Sequence, residues 1–466
     1  RRLEQIAKEQ GQSIKIVILE RESVVGGKCH TYKDPQHPEL RTEEGAGAVA
    51  PNYGVVIDAL NECGISYEKM ISVDETTVEI KKIYDSLSGL EKFKFVKQLT
   101  AELCTFNKDY DRYQKAVAER TDLPVNLQLP FAEYCRTNAM KYLPTIVKPF
   151  VPGFGYGAIT ECPTYSVLAY LGKTTIPEIL FVDNFTKQPS LLAIHGGFQG
   201  LMEAIAQSFD VRLRAQITRI QRTSRKVSVS YMQDGIECVE TGDTLVLATP
   251  PKSWPSLGLD MTEVERRCVA NLDFYRYPVA VYKIKGLPQH QYYFPKGLEA
   301  EGFGHLALIT TRDNRPNPPD GRLCTVYVNL PPGDNNFKFD HAKLIDELKT
   351  IAGVTDVEVI EEKIWEDYLP SLDWQTRLDL AKEEEDGSTY HLGAYALGGF
   401  EDVACVAEVA TKTMDTAFSA HLADNGFIRN LKRVYHFFHD AVYPPVSAVA
   451  AVSAVADDEN LIEFEV

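Results

Sequence analysis

The stretch IKIVILERESVVGGKCHTY, residues 14–32, sets an apolar run against a single acid, Glu20, and follows it with Gly26, Gly27 and Lys28. A mostly apolar run rich in β-branched residues such as IKIVIL reads as a fully buried strand, because a half-exposed strand alternates. The residues before it, 1–11, read as an amphipathic helix closed by Gly11 at the position after the C-cap. Helix, short turn and strand with an acid at its tip form the second half of a βαβ unit. In the dinucleotide-binding version the acid bonds the ribose hydroxyls and lies ~20 residues after a glycine-rich loop. Counting back from Glu20 reaches Arg1 or the residue before it. The expectation is that this loop belongs to an N-terminal piece upstream of the given sequence. The glycine pair lets backbone approach a pyrophosphate, and Lys28 adds a positive charge. The plainer alternative is a solvated acid before a glycine turn; the order strand, acid, five residues, Gly-Gly-Lys favours the nucleotide.

Composition narrows the class. A chain of 466 residues is too long for one simple core, so two domains, possibly interleaved, are expected. The formal net charge of −17 repels phosphate backbones, which argues against nucleic acid. Nine cysteines run from Cys29 to Cys405 without a CxxC pair. They read as thiols of a reducing compartment, cytoplasm or organelle, and not as a metal site. No run reaches the ~20 apolar residues of a membrane span. The nearest, VSAVAAVSAVA at 446–456, is too short, so a soluble protein without integral membrane contact is expected.

Periodicity and punctuation place the other elements. Helices are expected over 54–63, 91–119, 131–148 with a break near Pro144, 163–171, and from GLMEAIAQSF onward, making 70–190 mostly helical. Three strands are expected in VRLRAQITRIQR, KVSVSYM and CVETGDTLVLATPP, and further strands over 278–284, 305–311, 323–330 and 357–365. A helix is expected over 340–351 and another after Phe400. The tail beyond about 440 is assigned no structure.

Three further motifs invite a ligand. GFQGL (197–201) opens a helix whose free N–H groups suit an anion or a flavin carbonyl. Ile217 and Ile220 of AQITRI precede a hairpin and offer backbone to an adenine; the bland alternative is a plain strand. GAYALGGFEDV (393–403) brings a glycine pair to a helix start, a second backbone anion site whose alternative is a simple cap. Neither GxSxG nor HExxH occurs, and no acid pair stands out. Catalytic side chains therefore stay unassigned, and a cofactor is expected to carry the chemistry.

The ordered set LERE…VGGKCHTY, EEGAGAV, ITRI, LVLATPP and LGAYALGGFEDV resembles the flavin-containing amine oxidase superfamily. Within it, GGKCH (26–30), LPF (129–131), FGYG (154–157), the GFQ segment and GGFEDV are similar to the FAD-dependent polyenoic fatty acid isomerases. The resemblance implies an α/β fold: a Rossmann-like FAD-binding domain interleaved with an α+β substrate domain and a helical cap. It divides the chain into a discontinuous FAD-binding domain (1–70, 190–260 and 385–430), a helical cap or substrate region (71–189), a β-rich substrate domain (261–384) and an irregular tail (431–466). Glu20 would bind the adenosine ribose. Gly26, Gly27 and Lys28 would follow the pyrophosphate and ribityl path, and Ile217 would hold the adenine. Gly47 belongs to the same set. Gly393, Phe400, Glu401 and Val403 would meet the pyrophosphate and the pyrimidine edge of the flavin. Two departures stand: Ala394 replaces the family's usual acid, and 68–85 contains lysines but no arginine to clamp a carboxylate.

The activity implied is a shift of double bonds in a polyunsaturated fatty acid to a conjugated product, by internal hydride transfer through flavin N5. Phe154, Tyr156, Tyr165, Tyr170, Phe181 and Phe198 are the candidates for lining an apolar substrate tunnel; the plainer reading of each is core packing. Two alternatives share or forgo the chemistry. One is a flavin amine oxidase or polyene desaturase that consumes an acceptor; the other is a non-catalytic scaffold. No metal is expected, and the oligomeric state is not legible.

Overall fold

The structure is a computed structural model. It describes the chain apart from residues 1, 10, 12, 51–52, 71–77, 178–190, 224–225, 288–290, 314, 332, 335, 385–386, 419–447 and 454–466. The chain divides into two compact units. The first comprises Arg1–Gly27, Met202–Leu272 and Leu372–Val466; the second comprises Lys28–Leu201 and Asp273–Ser371.

In the first unit the opening helix, Arg2–Glu9, buries Leu3, Ile6 and Ala7, the i, i+3, i+4 stripe of one helical face. Gly11, at φ 69°, donates its N–H to Lys8 O and stops the helix. The strand Lys15–Glu20 is buried from Ile16 onward. Ile16 and Ile18 join Leu3, Ile6, Val246, Tyr390, Leu392 and Met414 in one apolar cluster. Lys15–Glu20 runs parallel to Asp210–Arg212, and Thr244–Leu247 runs parallel to Thr389–His391. Between these two pairs lies Ala448–Ser453, antiparallel to both neighbours, with Lys15 opposite Ser453 and Glu20 opposite Ala448. The four other strands therefore point the same way, and their carboxyl ends share one edge. The central strand corrects the expectation of an unstructured tail. It pairs the backbone of two strands that would otherwise lack one partner each, a long-range gain that no local signal announces.

A separate three-stranded sheet, Gln216–Arg222, Val227–Gln233 and Ile236–Gly242, completes this unit's β-structure among the described residues. Two expected single strands are each split between sheets. VRLRAQITRIQR breaks at Arg214, whose φ of 57° turns the chain. CVETGDTLVLATPP breaks at Asp243, between Gly242 and Thr244.

The second unit carries a five-stranded antiparallel sheet in the order Gln291–Tyr293, Leu306–Thr311, Arg322–Val328, Asp273–Lys285 and Asp356–Ser371. The expected strand at 278–284 is the C-terminal half of Asp273–Lys285, and that at 357–365 is the N-terminal half of Asp356–Ser371. Helix His341–Leu348, capped by the Asp340 carboxylate on Lys343 N–H, covers one face through Leu344 and Leu348. The helical segment holds Gly89–Glu119, Phe131–Thr137, Leu143–Val147 and Thr164–Leu171 among others. The expected break in 131–148 is present, between Thr137 and Leu143, just before Pro144. Pro144 itself sits in the first turn of the new helix, where its missing N–H costs nothing. The buried Glu102 carboxylate accepts the N–H groups of Tyr142 and Leu143 at 2.9 and 2.8 Å and so fixes that start. Among the described residues no helix is long and apolar enough to cross a membrane.

Candidate functional site

In the first unit, the carboxyl edge of the parallel strands is where a ligand of an open α/β sheet binds. Glu20 stands there, 2% exposed, its Oε1 accepting Glu22 N–H at 2.8 Å and its carbonyl accepting Ala215 N–H at 2.8 Å. Gly26 and Gly27 follow at φ 119° and 52°, a left-handed pair that side chains avoid. The strand Thr389–His391 delivers Gly393 to the same edge at φ 139°. The loop behind it folds back tightly: a Cβ on Gly399 would stand 2.3 Å from Gly393 O. Buried Arg377 clamps this loop through Nη1, donating to Ala394 O at 2.7 Å and Ala396 O at 2.9 Å. Phe400, Glu401 and Val403 are all buried. The helix Val403–Thr413 has its first N–H groups partly satisfied by Asp402 Oδ1, which accepts from Ala404 and Cys405. Ile217 is buried, and a register shift between Ile217 and Arg219 leaves Thr218 out of the ladder.

In the second unit, Lys28 is buried and its Nζ donates to Tyr368 O at 2.7 Å. Lys28 O in turn accepts Ala46 N–H, so the GGK turn and the EEGAG segment touch backbone to backbone. Gly47 O accepts from the Arg312 guanidinium, whose pKa burial pushes down despite the neighbouring Tyr327 and Glu43. Buried Arg41 Nε and Glu44 Oε1 have no partner within the described chain. His30 Nδ1 lies 2.6 Å from Glu44 Oε2.

The start of the helix Gly197–Ala206 is occupied by the protein's own acid. Glu43 Oε1 accepts Phe198 N–H at 3.3 Å, and Thr31 Oγ1 accepts Gln199 N–H at 3.3 Å while donating to Glu43 Oε2 at 2.8 Å. A Cβ on Gly197 would stand 2.3 Å from Thr31 Oγ1, so this contact needs glycine. Burial pushes the Glu43 carboxyl up to about 7, against the Thr31 hydroxyl, the Arg312 charge, the Phe198 N–H and the Arg41 charge. Folding therefore adds proton affinity between the ordinary carboxylate range and pH 7. The associated stability is complete below that range and is lost as pH rises through 7. Glu43→Gln keeps an acceptor for Phe198 and is expected to stabilise by ~2–3 kcal/mol at pH 8 and by nothing near pH 4. Urea midpoints at the two pH values check this; equal differences at both would refute it.

The substrate candidates meet an aromatic array that the sequence reading missed. Tyr156 lies 4.9 Å from Tyr170 edge-on and 5.9 Å from Tyr368 in a stack. Tyr277 continues the array, 4.6 Å from Tyr368 and 5.4 Å from Tyr327. Tyr277 donates its hydroxyl to Gly153 O at 2.7 Å, and Tyr368 donates to Phe154 O at 2.6 Å. A Cβ on Gly155 would stand 2.5 Å from the Tyr277 ring, which is why FGYG carries glycine there. Burial holds the Tyr277 phenol well above its ordinary range. Tyr165 is buried on Thr164–Leu171 and Phe198 is buried on its own helix. Phe154 and Tyr170 are partly exposed. Phe181 lies outside the described residues. Of the missed rings only Tyr277 had a local signal, its alternation with Tyr275 in YRYP (275–278); nothing near Tyr327 or Tyr368 pointed to the array.

A mixed fold with an acid, a positive-φ glycine pair and a folded-back glycine loop on one sheet edge is that of an FAD-binding oxidoreductase. Residues 2–263 match the family described as flavin containing amine oxidoreductase, and the chain belongs to that family. FAD is its cofactor, and the Glu20 and Gly393 edge fits the nucleotide end of it. Three of the solved structures that share the fold illustrate its range. The CLA-producing fatty acid isomerase from P. acnes aligns at TM-score 0.66 and 22% identity, over 88% of this chain and 92% of that one. Putrescine oxidase bound to putrescine aligns at 0.61 and 12%, over 91% and 96%. Cyclohexylamine oxidase from Brevibacterium oxydans IH-35A aligns at 0.54 and 12%, over 91% and 96%. No curated protein matches the chain.

Proposed function

We propose that this flavoenzyme moves double bonds within a polyunsaturated fatty acid without net oxidation. The observation that carries the reading is the tyrosine array of the second unit, with the fold's likeness to a fatty acid isomerase as support. Bound flavin supplies hydride acceptance and return. The array supplies a neutral aromatic wall. The Tyr277 and Tyr368 hydroxyls donate to backbone carbonyls, so neither phenol is left over to bind a polar group of a ligand. Such a wall suits an extended apolar chain and excludes the water that would intercept a reactive carbon. Stacked tyrosines also suit a cation, which favours an amine oxidase as the second reading. The flavin-loaded protein, incubated without oxygen with linoleic and longer polyenoic acids, separates the two. Conjugated-diene absorbance growing past one turnover without flavin bleaching is expected. Bleaching by an amine, reversed only on admitting oxygen, would establish the second reading instead.

A further inference from the structure

The helix Gly89–Glu119 leaves an apolar strip facing outward at its start. Leu90 and Phe93 are each 67% exposed and Val96 is 48% exposed. They sit at i, i+3 and i+6, so one helical face carries all three. Phe95 and Leu99, on the opposite face, are buried at 5% each, so the helix already has its core contact and the outward strip is surplus to it. Large apolar side chains clustered in solvent mark an interaction surface. The charges around them identify the partner. Lys94 flanks the strip on one side and Lys92 on the other, and Lys97 closes it one turn beyond Phe93, against the single acid Glu91 in this stretch. Lys92 Nζ sits 4.9 Å above the ring of Tyr84, itself 36% exposed. The protein as a whole is strongly acidic, at −17. A lysine-rimmed apolar strip on such a molecule is a local reversal of charge, and long stems let lysine ammonium groups reach outward while the apolar tips go deeper. That is the make-up of a helix face lying in the headgroup layer of an anionic bilayer.

We propose that residues 90–97 form a membrane-surface docking face, with Leu90, Phe93 and Val96 entering the interface and Lys92, Lys94 and Lys97 contacting anionic headgroups. The surface would hold the protein where free and esterified fatty chains reside, but the inference does not depend on the substrate. The test is co-sedimentation of the full chain with vesicles of phosphatidylcholine containing phosphatidylglycerol, and with vesicles of phosphatidylcholine alone. Binding to the mixed vesicles, weakened by salt, is expected. The pair Leu90→Ser and Phe93→Ser should weaken it by about tenfold or more. Lys92→Glu, Lys94→Glu and Lys97→Glu together should abolish the preference for anionic vesicles. All positions are outward-facing except half-buried Lys92, so thermal midpoints should stay unchanged. Absence of wild-type binding, or undiminished binding by the serine pair, would overturn the proposal. So would a serine pair that instead converts a dimer to a monomer in vesicle-free solution, since a second copy would then be the occupant.

Discussion

Gly45→Ala is expected to leave little or no soluble protein, and Gly54→Ala to leave the fold intact. A Cβ built on Gly45 lies 1.8 Å from Lys28 O and 2.9 Å from Lys28 C. Both obstacles are backbone, so no side chain can rotate away. The turn that holds Lys28 cannot retreat either: Lys28 O accepts Ala46 N–H at 3.2 Å, and Lys28 Nζ is tied to Tyr368 O. Adding one methyl must therefore separate the GGK turn from the EEGAG segment, breaking both contacts at once. The cost belongs with the exceptional single substitutions, about 4–5 kcal/mol or more. Gly54 provides the matched control, because nothing lies within 4 Å of its Cβ and it begins the helix Gly54–Glu62. Alanine there is expected to be neutral or slightly stabilising. Soluble yield and thermal midpoint read both outcomes; a soluble Gly45→Ala with an unchanged midpoint would show that the two loops are not packed as described.

The contrast between these glycines bears on what the sequence discloses. EEGAG and GGKCH are visible as motifs, and the strand ending in Glu20 is legible because an apolar run covered on both faces has no other reading. That the two glycine segments touch is not legible, since 16 residues lie between Lys28 and Gly45 and no local signal encodes the contact. The same reason hides the tyrosine array, assembled from residues 156, 170, 277, 327 and 368. It also hides the strand Ala448–Ser453: a run of alanine and valine has weak intrinsic preference, and only pairing with Lys15–Glu20 and Thr244–Leu247 decides it. At the start of Gly197–Ala206 the sequence announces an anion site, and the group that fills it is the Glu43 carboxyl. Neither GFQGL nor EEGAG alone points to the other.

Arg222→Met is expected to cost about 3–5 kcal/mol, and the double variant Arg222→Met with Glu265→Leu to recover most of it. Arg222 is 10% exposed at its side chain and Glu265 is fully covered. The guanidinium donates to Glu265 Oε1 and Oε2, both at 2.7 Å, and to Asp260 Oδ1 at 2.7 Å. Glu265 further accepts Thr262 N–H at 2.8 Å and stands 3.0 Å from His391 Nε2. One carboxylate thus joins a strand end, a helix start and the sheet strand Thr389–His391 within the first unit. Removing the arginine strands this carboxylate in a dry place, which is far costlier than the net worth of the pair. Removing both leaves two apolar side chains of similar bulk and no orphaned carboxylate at position 265; the remaining cost is the partner lost to Thr262 N–H, His391 and the half-exposed Asp260. The pH dependence provides a second check. Burial alone would raise the Glu265 pKa, yet the hydrogen bonds from His391 and Arg222 outweigh it and hold the carboxyl well below its ordinary range. The folded state then binds fewer protons than the unfolded chain. The stabilisation is complete above the ordinary carboxylate range and drains away as pH falls through that range toward the folded value. Wild type should therefore lose stability steeply in acid, and the double variant should lose less over the same window. Urea unfolding of the three proteins at neutral pH and near pH 3 measures both effects. A double variant as unstable as Arg222→Met would mean that lost packing, and not the orphaned carboxylate, dominates the cost.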